Sequence, residues 1–110
     1  MTNRESIIYQ IKEIIKKDFN PEKIILFGSY AYGNPKENSD IDIFVIKDIE
    51  RNQIREFKLL ILDKLRKIIV NNKIDIDILV NNRTNIDERI NMGDLFYKEV
   101  IDKGRIIYAK

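Results

Sequence analysis

The sequence predicts a single α/β domain over residues 1–110, in which three strands share one sheet. Two kinds of apolar spacing predict this class: long segments with apolar residues every three or four positions, and short runs that alternate or are rich in β-branched residues. A chain of 110 residues supplies one hydrophobic core and rarely two. We therefore expect helices packed on one sheet.

The first half of the chain predicts a helix and two strands. Isoleucines at helical spacing predict an amphipathic helix over about residues 3–18, which Asn20-Pro21 ends. The run Lys23–Phe27 predicts a short buried strand closed by Gly28. Residues 28–38 contain two glycines and Asn34-Pro35, which favours a turn with one helical turn inside it. Alternation over residues 40–47 then predicts a second strand.

The second half predicts a long helix from Ile49 to about Val70 and a third strand over residues 74–79. Residues 81–85 are polar and predict a loop. Short helices are expected at 86–92 and 95–102, before a final apolar stretch. The same periodicities predict core residues on the inner faces: Ile11, Ile14, Ile25, Phe27, Ile43, Val45, Phe57, Ile61, Leu65 and Ile76.

The composition excludes several classes of chemistry. The chain has no cysteine and no histidine, which rules out disulfides, thiolate catalysis, Ser-His triads and nearly every structural zinc site. A net charge of +2 is too small to hold nucleic acid or a membrane by bulk electrostatics. No apolar run is long enough for a membrane span or a signal peptide, so we expect a cytoplasmic protein.

Aspartates occupy strands at unusual positions. Asp40 and Asp42 lie two apart on one face of a predicted strand, and Asp75 and Asp77 repeat this spacing in the third strand. A single such pair is most simply a solvated strand face. Two pairs on neighbouring strands would repel each other unless protons or a cation neutralise them, and Mg²⁺ suits ligands that are all oxygen.

Small residues precede these carboxylates. Gly28-Ser29 follows the first strand, Gly33 comes next, and Ser39 stands beside Asp40. Small residues let backbone N–H groups approach a phosphate, although Gly-Ser alone is more often an ordinary turn or helix cap. The combination predicts a phosphate pocket beside a metal pocket.

Together these motifs resemble the signature of the DNA polymerase β-type nucleotidyltransferase superfamily: Gly28-Ser29, ten intervening residues, Asp40-Ile41-Asp42 and a later strand aspartate. At this length the chain is similar to minimal nucleotidyltransferases (MNT), many of which are antitoxins that silence HEPN-family toxins by transferring AMP to a toxin tyrosine. The resemblance implies a mixed sheet flanked by helices, ATP as donor and two Mg²⁺ ions.

The resemblance also implies roles for individual residues. Gly28 and Ser29, with Ser39 nearby, would hold the triphosphate, and Asp40 and Asp42 would ligate metal. The third carboxylate, a metal ligand and base, would be Asp77, with Asp75 as the alternative. Tyr32 departs from the family, since many relatives carry an arginine there.

Two other functions remain open at this stage. The domain could be an antitoxin that binds its toxin with little or no catalysis, although repelling carboxylates burden a fold that never binds metal. Transfer to a small acceptor such as an aminoglycoside usually needs a further helical domain in enzymes of that kind, and the sequence predicts none.

Overall fold

The computed structural model describes residues 4–28 and 40–110. These residues form helices α1 to α4 and strands β1 to β4, with a short 3₁₀ turn, Arg51–Gln53, before the second helix. In chain order the elements are α1 (Arg4–Phe19), β1 (Lys23–Phe27), β2 (Ile41–Ile46), α2 (Ile54–Asn72), β3 (Ile76–Asn81), α3 (Arg83–Asn91), α4 (Leu95–Lys103) and β4 (Arg105–Ala109).

The four strands form one mixed sheet in the order β3-β2-β1-β4. Strand β1 pairs antiparallel with both β2 and β4, whereas β2 and β3 run parallel. The parallel pair is possible because α2 returns the chain from the end of β2 to the start of β3. The predicted mixed sheet flanked by helices is confirmed.

Helices cover both faces of the sheet. Helices α1 and α2 cover one face, which we call the closed face, where their buried isoleucines and leucines pack on Ile41, Ile43 and Val45 of β2. The intervening β2 residues Phe44 and Ile46 point to the other face, where they pack with buried residues of α3 and α4. We call this second side the open face, because its carboxylate-bearing end reaches solvent.

The predicted core lies inside. Seven of its ten residues are buried, and the other three, Ile14, Phe27 and Phe57, are half-buried against the buried clusters. The fully buried positions Ile11 and Ile61 come from the two helices whose apolar period is clearest in the sequence. In the described part of the chain, no helix is both long and apolar enough to cross a membrane.

Three predicted boundaries are wrong. The long helix begins at Ile54, after the 3₁₀ turn, rather than at Ile49, and it continues to Asn72, where Lys73 ends it in a left-handed conformation (φ 52°). The third strand lies two residues later than predicted. The predicted polar loop at 81–85 is largely helix: Asn81 ends β3, and the Asn82 side chain accepts a hydrogen bond from the backbone N–H of Asn85 and so caps α3. The sequence predicted a loop here because asparagine is common in turns, but the same side chain is also common at the first position of a helix, where it caps the free backbone N–H groups.

Candidate active site

The carboxylates come together at one end of the parallel strand pair. Asp42 is the second residue of β2, and the parallel register places it directly opposite Asp77, the second residue of β3. Asp42 is half-buried, while Asp77 and Asp40, which immediately precedes β2, are exposed. Two strands that begin at the same edge of the sheet thus present acidic side chains to one region of solvent.

The environment of Asp42 disfavours its negative charge. Partial burial, the charge of Asp77, a hydrogen bond between the two carboxyl groups and the charge of Asp40 together raise the pKa of Asp42 from 3.8 to about 6. Protonated Asp42 can donate to the Asp77 carboxylate, whereas the ionised pair repels. The pair therefore favours whatever neutralises it, either a proton or a bound cation.

Asp77, rather than Asp75, is the neighbouring carboxylate that raises the pKa of Asp42. Asp75 precedes β3, and its backbone carbonyl accepts a hydrogen bond of 3.0 Å from the N–H of Ile41. Its side chain is exposed and is absent from the groups that shift the pKa of Asp42. Of the two aspartates that the sequence offers as the third carboxylate, Asp77 is the one that the register places opposite Asp42.

Gly28 lies against the same carboxylate. Its φ of +74° is in the left-handed region, and a Cβ at this position would overlap the Asp42 Oδ2 atom. The antiparallel register explains the approach, because Phe27 pairs with Asp42 and Gly28 follows directly. A glycine is required here for two reasons, its backbone conformation and the space that Asp42 occupies.

Ser29, Gly33 and Ser39, together with Tyr32, lie outside the described residues, as does most of the predicted turn at 28–38. Within residues 4–28 and 40–110, no three acidic side chains are arranged closely enough to hold a metal ion. The described residues thus bring together Gly28, Asp42 and Asp77, with Asp40 contributing its charge nearby.

Sequence reasoning missed the aromatic residues beside this site. Phe27 contacts Phe96 edge to face, with ring centroids 5.9 Å apart. Phe96 in turn contacts Tyr97 at 5.5 Å, and Tyr97 lies 5.7 Å from Phe44 in the core. The consecutive apolar residues Leu95-Phe96-Tyr97 were the available signal, because one helix cannot bury three successive side chains against one surface.

Comparison with known families identifies the fold that carries these residues. The family described as Polymerase beta, Nucleotidyltransferase matches residues 9–110. The chain belongs to this nucleotidyltransferase family. The match includes every strand of the sheet and all of the carboxylates described above, and it confirms the superfamily that the spaced glycine and aspartate motifs predicted.

Relatives of this nucleotidyltransferase have been named in an archaeon. A Methanocaldococcus jannaschii protein, named as a candidate protein adenylyltransferase, is 30% identical over 108 residues, which cover 96% of this chain and 99% of that protein. A second M. jannaschii protein with the same assignment is 37% identical over 67 residues, 59% of this chain and 65% of its own.

Solved structures share the nucleotidyltransferase fold. A crystal structure of a toxin–antitoxin with AMP-PNP aligns with 98% of this chain and 75% of its own chain, with a TM-score of 0.59 and 20% identity. A mutant of the toxin–antitoxin MntA-HpeT, with two aspartates changed to glutamate, aligns with 93% of this chain and 73% of its own, with a TM-score of 0.57 and 17% identity. At such identities the likeness concerns the fold.

Proposed function

We propose that this nucleotidyltransferase is a protein adenylyltransferase, which transfers AMP from ATP to a hydroxyl of a partner protein, a tyrosine of a HEPN toxin. The observation that carries the proposal is the pairing of Asp42 with Asp77 across the parallel strands, beside Gly28, where a side chain would overlap the Asp42 carboxyl group. The relative in M. jannaschii supports the protein acceptor, because the similarity extends over nearly the whole of both chains.

The donor atoms of three aspartates suit Mg²⁺, although their side chains are not grouped closely enough in the described structure to hold one ion together. Asp40, Asp42 and Asp77 offer only oxygen atoms, and the partial burial and neighbouring carboxylates that raise the pKa of Asp42 disfavour its negative charge, which a cation would compensate. We assign these three aspartates as the ligands of two Mg²⁺ ions. Bound Mg²⁺ would supply charge neutralisation for the phosphates and lower the pKa of the attacking hydroxyl.

The nucleotide would lie beside Gly28, at the end of β1. Gly28 has no side chain to cover its backbone, and Ser29 and Ser39 stand near the two ends of the sequence segment that links β1 to β2. We assign these three residues to the triphosphate of ATP. A fold neighbour that contains AMP-PNP, an ATP analogue, supports this donor. ATP is held in the cytoplasm, which is where the reaction would take place.

A side chain of this protein can accept the proton that the acceptor hydroxyl loses during transfer. Asp77 would accept the proton of the acceptor hydroxyl as that oxygen forms a bond to the α-phosphorus. The bond between the α-phosphorus and the bridging oxygen of pyrophosphate breaks, and pyrophosphate leaves. Asp77 is exposed, so a protein hydroxyl can reach it without opening the core.

The same fold neighbours support a role as an antitoxin. Both of the structures above are toxin–antitoxin complexes, and one carries two aspartates changed to glutamate. A further mutant of that pair, with a tyrosine changed to alanine, has a TM-score of 0.54 to this chain and 18% identity. These substitutions concern the same two residue types, aspartate and tyrosine, that the proposed reaction uses.

A matched pair of variants tests the assignment. Purified chain would be incubated with labelled ATP, Mg²⁺ and the product of its neighbouring gene, and AMP incorporation measured. We expect Asp77→Asn to lower the rate about a thousandfold, several kcal/mol of lost transition-state stabilisation, and Asp75→Asn to lower it less than about threefold. A rate for Asp77→Asn within about threefold of wild type would remove Asp77 from the mechanism, and a large loss in Asp75→Asn alone would assign the role to Asp75.

A second candidate function is an antitoxin that binds its partner without catalysis. The observation in its favour is that no three acidic side chains of the described residues form a ready metal-binding group. Under this function, the product of the neighbouring gene would bind this chain with the same affinity whether or not Asp42 and Asp77 are replaced by asparagine. No AMP would be incorporated by any of the proteins.

A further inference from the structure

Three apolar side chains are exposed at the turn between α3 and α4. Met92 is 81% exposed, Leu95 77% and Phe96 48%, and we call these three residues the apolar tip. Methionine and aromatic side chains are enriched at the centres of protein interfaces, and a contiguous group of them on a surface commonly marks a binding site. The apolar tip joins α3 and α4, the helices that pack on the open face, which is the side of the sheet that also carries the Asp42 carboxyl group.

The apolar tip is connected to the carboxylates by direct contacts. The Phe96 ring meets the Phe27 ring at a centroid distance of 5.9 Å, and Phe27 is the register partner of Asp42. One half-buried ring thus separates the tip from the carboxylate pair. A segment that covers Phe96 would place its neighbouring residues beside Asp42 and Asp77.

The tip is held in a defined conformation. Asp94, at the start of α4, accepts hydrogen bonds from the backbone N–H groups of Phe96 at 2.9 Å and Tyr97 at 3.4 Å. Arg89 donates to its other oxygen at 3.1 Å and so links α3 to the turn. A surface ordered in advance loses little conformational entropy when a partner binds.

A groove continues from the tip along the edge of the sheet. It has a volume of about 690 Å³, and Met92 and Tyr97 line it together with Val80, Asn81 and Arg51. Val80 and Asn81 belong to β3, the strand that also carries Asp77. Strand β3 has no neighbour beyond it among the described strands, so an extended segment could lie along this side.

We propose that the apolar tip and this groove bind the polypeptide segment that presents the acceptor hydroxyl, a tyrosine flanked by apolar residues. The inference rests on the proposed function for the identity of the occupant. The argument for a polypeptide is continuity: the tip meets Phe27, the register partner of Asp42, and the groove runs past Met92 and Tyr97 to the end of β3, the strand whose second residue is Asp77.

Binding of two labelled peptides tests this without requiring catalysis. Fluorescein-labelled tyrosine peptides, one flanked by leucines and one by serines, would be titrated with the full chain and followed by anisotropy. We expect tighter binding of the leucine-flanked peptide, and Leu95→Glu to weaken it at least about tenfold, as substitution of an interface anchor does. Leu95 is the first residue of α4, where an acidic side chain suits the helix dipole, so this variant should fold.

The control is Leu59→Glu, the same substitution at a leucine that is 54% exposed on α2, the helix that covers the closed face. It should leave peptide binding unchanged. Equal weakening by both variants, or no binding by the wild type, would overturn the proposal. Phe96→Ala provides a second tip variant, and it should weaken binding as Leu95→Glu does.

Further readouts separate other occupants and the proposed function itself. ATP affinity should be the same in all variants, since a loss in Leu95→Glu would show that the tip binds the nucleotide and overturn the proposal. A dimer that Leu95→Glu dissociates, with no effect on peptide binding, would assign the tip to a second copy of the chain. Peptide binding that depends on Leu95 without AMP transfer would support the docking surface and refute protein adenylylation.

Discussion

The two faces of the sheet are built from the same strands but differ in what they contain. On the closed face, β2 contributes Ile41, Ile43 and Val45, all fully buried under α1 and α2. On the open face the same strand contributes Phe44 and Ile46, which are buried, and Asp42, which is not. Alternation along one strand thus separates the residues that stabilise the fold from the residue that carries charge.

The open face is only partly covered. Helices α3 and α4 bury Phe44 and Ile46 through Ile86 and Val100, and beyond that cluster the sheet presents carboxylates. The pKa of Asp42 is raised because it lies at this boundary, partly buried and beside Asp77. We therefore expect substitutions on the closed face to change stability without changing the carboxylate site, and substitutions at the carboxylates to have their main effect on function.

The largest expected effect comes from the open face. Asp42→Asn should lower AMP transfer about a thousandfold, several kcal/mol of transition-state stabilisation, because the amide keeps the shape but loses the charge that a metal requires. AMP incorporation from labelled ATP is the measurement. A second measurement is the midpoint of thermal unfolding with and without Mg²⁺ and ATP, since a ligand that binds the folded state raises this midpoint. Wild-type transfer in this variant would show that Asp42 is not a metal ligand.

The next effect comes from the closed face. Ile61 is fully buried, and Ile61→Ala should lower the free energy of unfolding by about 3 kcal/mol, because it removes apolar burial and leaves a cavity. Its neighbour Leu60 is 52% exposed, so Leu60→Ala should change stability by less than about 1 kcal/mol. Urea denaturation measures both. A loss of nucleotide affinity in folded Ile61→Ala protein would contradict the independence of the two faces.

Two glycines sharpen the comparison further. Gly28 and Gly93 both have positive φ, +74° and +92°, so alanine at either should lower stability by about 1 kcal/mol. Only at Gly28 would the new methyl group overlap Asp42, while nothing lies within 4 Å of a Cβ at Gly93. We expect Gly28→Ala to impair AMP transfer and Gly93→Ala to spare it. Similar activity of the two proteins at equal stability would show that the contact with Asp42 has no role.

The smallest effect is a pH dependence of stability. The pKa of Asp42 is raised in the fold from 3.8 to about 6, so the folded state holds its proton more tightly than the unfolded chain. This contribution to stability is fully present below pH 3.8 and is lost as the pH rises through about 6. Asp42→Asn should therefore be more stable than wild type at pH 7 and equally stable at low pH. We expect a difference of about 1 kcal/mol at pH 7, less than the full pKa shift would give, because solvent screens the charge of a half-buried group.

Chemical denaturation at several pH values measures this difference. The control is Asp87→Asn, at an exposed aspartate on α3, which should follow the wild-type pH profile. If the stability of Asp42→Asn also follows the wild-type pH profile, the two carboxylates do not destabilise the folded protein by repulsion.

Local sequence determined much of the fold. The strand Lys23–Phe27 has the predicted bounds, and α1 lies within one residue of the predicted helix, because apolar spacing depends only on which residues face the core. Alternation also placed Asp42 on the face opposite Ile43. The motif Gly28-Ser29 with Asp40-Ile41-Asp42 was sufficient to predict the nucleotidyltransferase family, since the spacing of the motif lies in the chain itself.

Other features required the tertiary structure. Sequence spacing puts Asp75 and Asp77 on one strand face and cannot choose between them, whereas the parallel register with β2 sets Asp77 opposite Asp42. The contact between Gly28 and Asp42 and the one between Phe27 and Phe96 join residues far apart in the chain. Such contacts depend on strand order and helix packing, which are properties of the whole sheet and of no single segment.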